Sequence, residues 1–219
     1  SHGVFVDDVT AVVVGLANVT ATATGASGSG VKLSNFGAAT AATLTDVTAT
    51  ATTLSACIIE GTSGAGTAVT VRDSALTTGG SYGLRFADPV TDTTVLLAGT
   101  TFTGTSSAGL YFNGAISGGS VDINNCITSG AQGIEFNGAV ATPVTITGGS
   151  LTAASDAALL FSGQVAASTN VQLTDLTVTS ATAAAVEFTL GLTDVSLGIT
   201  DCTVSGNTPA LNFLAAVAT

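Results

Sequence analysis

Chemistry at a protein surface needs particular side chains within a few ångströms of one another, and this sequence is sparing with them. Its basic residues are Lys32, Arg72 and Arg85, and His2 is the sole histidine. The thiols are Cys57, Cys126 and Cys202, the tyrosines are Tyr82 and Tyr111, and Trp and Met are absent. One histidine with three dispersed cysteines does not make a zinc site. What remains is carboxylate chemistry and hydroxyls. Glu135 and Glu187 are candidates for the paired carboxylates of glycoside hydrolysis, in which one group protonates the leaving oxygen and the other activates water. Asp46, Asp73, Asp175 and Asp201 offer the hard oxygens that calcium takes. Whether any of these groups meet depends on the elements that carry them.

Composition bounds the choice first. Three Lys+Arg against 14 Asp+Glu give a net charge of −11 over 219 residues. That excludes nucleic-acid binding by phosphate neutralisation and argues against an anionic membrane surface. With 46% hydrophobic residues the chain is not disordered. Its longest apolar stretches, Ala11–Ala17 and Phe213–Ala218, are too short for membrane insertion as a helix. Low charge with abundant Thr, Ser and Gly suits an exported protein, extracellular or at the cell surface. No signal peptide is visible, and the missing initiator Met suggests a processed or excised chain.

One pattern recurs along the chain: Gly or Ala, an aliphatic residue, a variable residue, then usually Phe. It reads Gly3-Val4-Phe5-Val6, Gly30-Val31-Lys32-Leu33, Cys57-Ile58-Ile59, Gly83-Leu84-Arg85-Phe86 and Gly109-Leu110-Tyr111-Phe112. It continues through Gly133-Ile134-Glu135-Phe136, Ala158-Leu159-Leu160-Phe161 and Ala185-Val186-Glu187-Phe188 to Ala210-Leu211-Asn212-Phe213. Counted through Val4, Val31, Ile58, Leu84, Leu110, Ile134, Leu159, Val186 and Leu211, the copies recur about every 26 residues and leave no room for a second domain.

A second pattern, apolar-x-apolar-x-Asn/Asp/Gly, follows each copy, as in Val69-Thr70-Val71-Arg72-Asp73 and Val171-Gln172-Leu173-Thr174-Asp175. A third alternating segment follows at once, as in Leu176-Thr177-Val178-Thr179. Three short alternating segments per period, parted by turn residues, predict strands rather than helices. A coil of this kind buries its apolar side only by stacking on its neighbours, which is the logic of a β-solenoid. Alternation points Val4, Leu84 and Ile134 inward and Phe5, Arg85 and Glu135 outward. The column Asn18, Asp46, Asp73, Gly99, Asn125, Gly148, Asp175 and Asp201 marks sharp turns, since these residue types tolerate left-handed backbone angles.

The three-strand coil, the Asn/Asp turn column and the Ile-Thr-Asp-Cys-Thr-Val run at 199–204 resemble the right-handed parallel β-helix of the pectate-lyase-like superfamily. The resemblance covers nearly the whole chain and implies an all-β, single-domain parallel β-helix of about eight to nine coils; the right hand comes from it and not from the spacing. The superfamily holds lyases, hydrolases, tailspikes, adhesins and structural surface proteins, so fold leaves function open. Its lyases use a basic proton abstractor with calcium held by acidic residues. Here Lys32 and Arg85 share an outward column with Ile58 between them and no carboxylate beside them.

In that frame Glu135 and Glu187 lie two coils apart across Leu160, roughly 10 Å, at the edge of the inverting-glycosidase range. No aromatic platform surrounds them, and the alternative is a pair of solvated surface carboxylates. The turn pairs Asp46/Asp73 and Asp175/Asp201 stand one coil apart and read first as plain turn residues, with a calcium ion as the alternative; no other cofactor is implied. Cys126 and Cys202 take equivalent inward slots roughly 14 Å apart, too far to bond, and read as small core residues.

The third segment carries one unusual feature. Its first outward column reads Thr20, Thr48, Ala75, Thr101, then a one-residue deletion, then Ser150, Thr177 and Thr203. The second reads Thr22, Thr50, Thr77, Thr103, Thr128, Thr152, Thr179 and Ser205. Such Thr-x-Thr arrays resemble the ice-binding faces of several antifreeze proteins, although β-branched Thr is also a good outward strand residue in its own right.

Neither end of the repeat carries an amphipathic helix, a charge cluster or a Pro guard, which solenoid ends normally show. Bare ends fit a piece of a longer solenoid or a subunit covered by copies of itself. The leading expectation is therefore a non-enzymatic, self-assembling filament, sheath or surface-layer subunit that forms a head-to-tail homopolymer through Val4, Val6, Leu211, Phe213 and Val217. The alternatives are an ice-binding protein, or an adhesin- or tailspike-like shaft binding glycans along Lys32, Arg85, Tyr111, Glu135 and Glu187. Asn18-Val19-Thr20 is a lone glycosylation sequon.

Overall fold

The computed structural model describes residues 2–61, 63–166, 168–207, 209–214 and 217–218. Among them the regular elements are all β-strands, and no helix is long and apolar enough to cross a membrane. The chain winds as a right-handed parallel β-solenoid of about eight turns with a repeat of about 26 residues. Each strand pairs in parallel with its equivalents one coil before and after.

Three long faces result. The first is built from nine three-residue strands: Val4–Val6, Val31–Leu33, Cys57–Ile59, Leu84–Phe86, 110–112, 134–136, Leu159–Phe161, Val186–Phe188 and Leu211–Phe213. The second has eight: Val13–Ala17, Ala41–Thr45, 68–72, 94–98, 120–124, 144–147, Asn170–Thr174 and Ser196–Thr200. The third also has eight: Thr20–Ala23, Thr48–Ala51, Ala75–Thr78, 101–104, 127–130, 150–153, Thr177–Ser180 and Thr203–Ser205. In the middle coils neighbouring strands run together around a corner, as in Ser120–Phe136.

A fourth, minor ladder was not legible in the sequence. Val90, Ile116, Val140, Val165, Leu192 and Val217 stack between the first and second faces. The first five are buried, and the side chain of Val217 lies outside the described residues.

The inward residues fill a single core. On the second face the pairs Leu44/Val71, Leu97/Ile123 and Ile146/Leu173 are at most 1% exposed. On the first face Phe86, Phe112, Phe136, Phe161, Phe188 and Phe213 form a stack with centroids 4.6–5.2 Å apart and planes within 10° of parallel. Inter-strand spacing sets that distance, because identical side chains at identical register repeat at the ladder period. The slot between Val31 and Leu84 is held by Cys57 and not by Ile58, whose backbone pairs with Lys32 and Arg85.

The whole Asn/Asp/Gly column adopts left-handed angles, from φ +49° at Asp73 to +65° at Gly148. A second left-handed column, including Ala39, Gly66, Asp92 and Ser168, leads into the second face. Each of these four is followed by a buried threonine (Thr40, Thr67, Thr93, Thr169) whose hydroxyl donates to a main-chain carbonyl at 2.9–3.3 Å. The Val9 and Val140 carbonyls already accept from the Gly37 and Ala166 N–H groups, so there the hydroxyl uses the second lone pair of a buried acceptor and finds its own partner in doing so.

Candidate functional surfaces

The outward column of the first face holds most of the charged and aromatic side chains singled out above. In register it reads Phe5, Lys32, Ile58, Arg85, Tyr111, Glu135, Leu160, Glu187 and Asn212. Ile58 and Leu160 are 6% exposed and Tyr111 8%, so the column is a filled furrow. Lys32 pairs with Glu60 at 3.0 Å, a carboxylate from the flanking loop that sequence spacing did not place there. Arg85 lies 5.7 Å from the ring of Tyr82, which stacks on Tyr111 at 4.3 Å. Burial pushes the Tyr111 phenol up to about 12, with Tyr82 and Glu135 adding to the shift.

The two glutamates share the column but stand two strands apart. Leu160 stands between them, and each is held by a neutral partner: Ser162 donates to Glu135 at 3.2 Å, and Asn212 to Glu187 at 3.0 Å. Burial raises the Glu135 pKa above the ordinary carboxylate range; Asp156 adds to this and the Ser162 hydroxyl opposes it. The turn pairs Asp46/Asp73 and Asp175/Asp201 do fall on adjacent coils, at φ +49° to +54°. Among the described residues no group of three or more His, Cys, Asp or Glu could hold a metal ion. Burial lifts the Cys57 thiol to about 12 and raises Cys126, which leaves both far from the reactive thiolate form.

On the third face the register corrects the expected Thr columns at one coil. There is no deletion: Thr101 pairs with Ile127, Phe102 with Thr128 and Thr103 with Ser129. The second outward column is therefore Thr22, Thr50, Thr77, Thr103, Ser129, Thr152, Thr179 and Ser205, hydroxylated without a break. The first is Thr20, Thr48, Ala75, Thr101, Ile127, Ser150, Thr177 and Thr203, interrupted by Ala75 and by Ile127, itself 49% exposed. Hydroxyls in the second column bridge adjacent coils, Thr50 to Thr22 and Thr103 to Ser129, both at 3.2 Å.

Thr128 points inward, fully buried, and its Oγ1 has no hydrogen-bond partner. Backbone register outweighs the side chain here, because shifting one strand by a residue would break its ladder on both sides. Thr128→Val keeps the shape and removes the orphaned hydroxyl, so it is expected to stabilise the fold by about 1 kcal/mol. A lower urea midpoint for that variant would contradict the assignment.

The two ends differ from the middle. Val4, Val6, Val14, Leu16 and Val19 at one end, and Val195, Leu197, Cys202, Val204 and Leu211 at the other, are core residues only partly covered. Beside them Phe5, Val12, Val13, Leu190, Ile199, Phe213 and Leu214 are 38–79% exposed. Comparison with protein-family models, with curated proteins and with solved structures finds no match.

Proposed function

We propose that this chain is a non-enzymatic structural protein, an extracellular or cell-surface subunit that stacks end to end on copies of itself into a filament, sheath or surface layer. One observation carries the reading: of the eight large apolar side chains strongly exposed among the described residues, seven lie in the end coils, and only Ile127 lies between. Among the described residues the outermost strands of the first face, Val4–Val6 and Leu211–Phe213, each pair with one neighbour, and such edges are templates for further pairing. Contact between unlike ends propagates into an open polymer. The net charge of −11 opposes sideways clumping. The separated, individually satisfied carboxylates of the outer furrow support a role without catalysis.

Electron microscopy of the purified protein is expected to show rods longer than one subunit, lengthening with concentration. Leu211→Lys places an ammonium at the joint and is expected to leave folded, discrete monomers with an unchanged β-type circular dichroism spectrum. Wild-type protein that stays monomeric at high concentration would end this reading.

The unbroken hydroxyl column favours a second reading, ice binding by the third face, whose two columns carry no charged residue over eight coils. On it the protein would show thermal hysteresis, and Thr77→Tyr or Thr103→Tyr would abolish most of it by breaking the flat array. Hysteresis equal in wild type and both variants would exclude the face.

A further inference from the structure

On three successive coils the chain leaves the first face through Asn113-Gly114-Ala115, Asn137-Gly138-Ala139 and Ser162-Gly163-Gln164. A Cβ at Gly138 would overlap the main chain of Gly114 and Ala115, and one at Gly163 would overlap the main chain of Gly138. Neighbouring main chains therefore touch along this corner, and only glycine fits there. The asparagines answer a different need. Asn113 Nδ2 donates to the Ala87 carbonyl at 2.9 Å and Asn137 Nδ2 to the Asn113 carbonyl at 3.3 Å, each tying its coil to the one before. Packing and carbonyl capping, each for its own reason, place Asn before Gly twice.

We propose that Asn137 is a self-modification site of the folded protein, at which the chain converts its own side-chain amide to a carboxylate. The Gly138 nitrogen, unhindered by a side chain, gives up its proton and bonds to Cγ of Asn137. The Cγ–Nδ2 bond breaks, and Nδ2 leaves as ammonia carrying that proton. Water then adds to one of the two carbonyls of the cyclic imide, which opens to aspartate or to isoaspartate. Water is the only co-reactant, and nothing is oxidised or reduced. Among the described residues neither the Gly114 nor the Gly138 N–H makes a hydrogen bond, so the nucleophile is not tied down. The other seven asparagines all precede residues that carry a side chain.

The surroundings separate the two Asn-Gly sites. Asn113 is half-buried, and its amide is held at both ends, because the Tyr111 hydroxyl donates to its Oδ1 at 3.0 Å while its Nδ2 holds the Ala87 carbonyl. Asn137 is exposed and kept by a single bond, whose 3.3 Å is longer than the usual N–H···O range. Its amide plane is therefore free to turn Cγ toward the next nitrogen, whereas that of Asn113 is not. Conversion has structural consequences. Aspartate loses the donor and sets a carboxylate against the Asn113 carbonyl. Isoaspartate also lengthens the main chain by a methylene, at a corner too tight to admit even a Cβ. Either product loosens the tie between two coils and adds a negative charge two residues from Glu135.

The test ages the full chain, folded, in mildly alkaline buffer made with heavy-oxygen water, beside a sample aged in guanidinium chloride, and maps both by peptide mass spectrometry. In the folded sample Asn137 is expected to convert several-fold faster than Asn113; in the unfolded sample the two rates should converge. Each converted 137 should carry one heavy oxygen, the mark of hydrolysis through the imide, with one ammonia released per conversion. Ion exchange separates the aged protein by its added charge, and its urea midpoint is expected to fall below that of fresh protein. Asn137→Gln keeps the amide but makes ring closure far slower, so that variant, checked by its β-type circular dichroism, should yield no aged species at this corner. The proposal is wrong if Asn137 stays intact in the folded protein while both sites convert in guanidinium chloride, or if Asn113 converts first. It is equally wrong if the product lacks heavy oxygen, or if Asn137→Gln acquires the same charge at the same rate. An aged protein with an unchanged urea midpoint would overturn the loosening of the coils.

Discussion

Phe136→Ala is expected to cost about 3–5 kcal/mol, the range for emptying a fully buried Phe site. Phe136 is fully buried, and its ring stacks on Phe112 at 4.9 Å and on Phe161 at 4.8 Å. Removing it leaves a slot whose walls are fixed by parallel ladders on both sides, so the backbone cannot collapse to fill it. The position adds a second consequence. A solenoid is held by nearest-neighbour contacts between coils, so a lesion near the middle weakens the coupling between its two halves. Urea unfolding followed by circular dichroism is expected to broaden or split, not merely shift. Phe213→Ala is the matching control: among the described residues that ring stacks on Phe188 alone and is 38% exposed, so about 1 kcal/mol is expected. Equal losses at both positions would show that stacking does not hold the column.

The same regularity explains why so much of the fold is legible in the sequence. A repeat that cannot bury its apolar side alone writes its period into the chain, so the Phe of Gly-aliphatic-x-Phe announces the inner stack, and the Asn18-to-Asp201 column announces its left-handed turns. Sequence and structure part where local pattern and ladder register disagree. Cys57-Ile58-Ile59 is apolar throughout, so alternation cannot say which residue faces inward; the pairing of Cys57 with Val31 decides it. Ile127-Thr128 carries the reverse of the expected polarity, which imitates a deletion, yet the parallel ladders on both sides hold the strand in frame. Thr40, Thr67, Thr93 and Thr169 escape notice because a threonine that caps a buried carbonyl is spelled like one that faces water. The furrow is half legible: spacing puts Lys32, Arg85, Tyr111, Glu135 and Glu187 in one column, whereas Glu60 and Tyr82 enter from loops, where no periodicity guides the eye.

Gly148 and Gly149 should part company under substitution although they are neighbours with similar angles, φ +65° and +85°. Gly148 belongs to the turn column, where Asn18, Asp46 and Asn125 already hold φ near +50°. A side chain at 148 would meet the amide end of Asn125, a flexible group able to swing into solvent. Gly148→Asn is therefore expected to change stability by only a few tenths of a kcal/mol, since short polar residues tolerate this conformation. Gly149 instead lies in the inward slot that pairs with Cys126. A Cβ there would overlap the carbonyl oxygen of Cys126 and sit 2.8 Å from its nitrogen, main-chain atoms locked into a ladder that cannot yield. To that overlap is added the left-handed penalty for an L-residue, roughly 1–2 kcal/mol. Gly149→Ala is expected to lose about 3 kcal/mol or more, a value reached only by a few mechanisms, of which backbone strain with overpacking is one. Urea midpoints of the two variants measured side by side check this. If Gly149→Ala were as mild as Gly148→Asn, the chain would have to leave the ladder at this corner, and the register that places Ile127 outward and Thr128 inward would go with it.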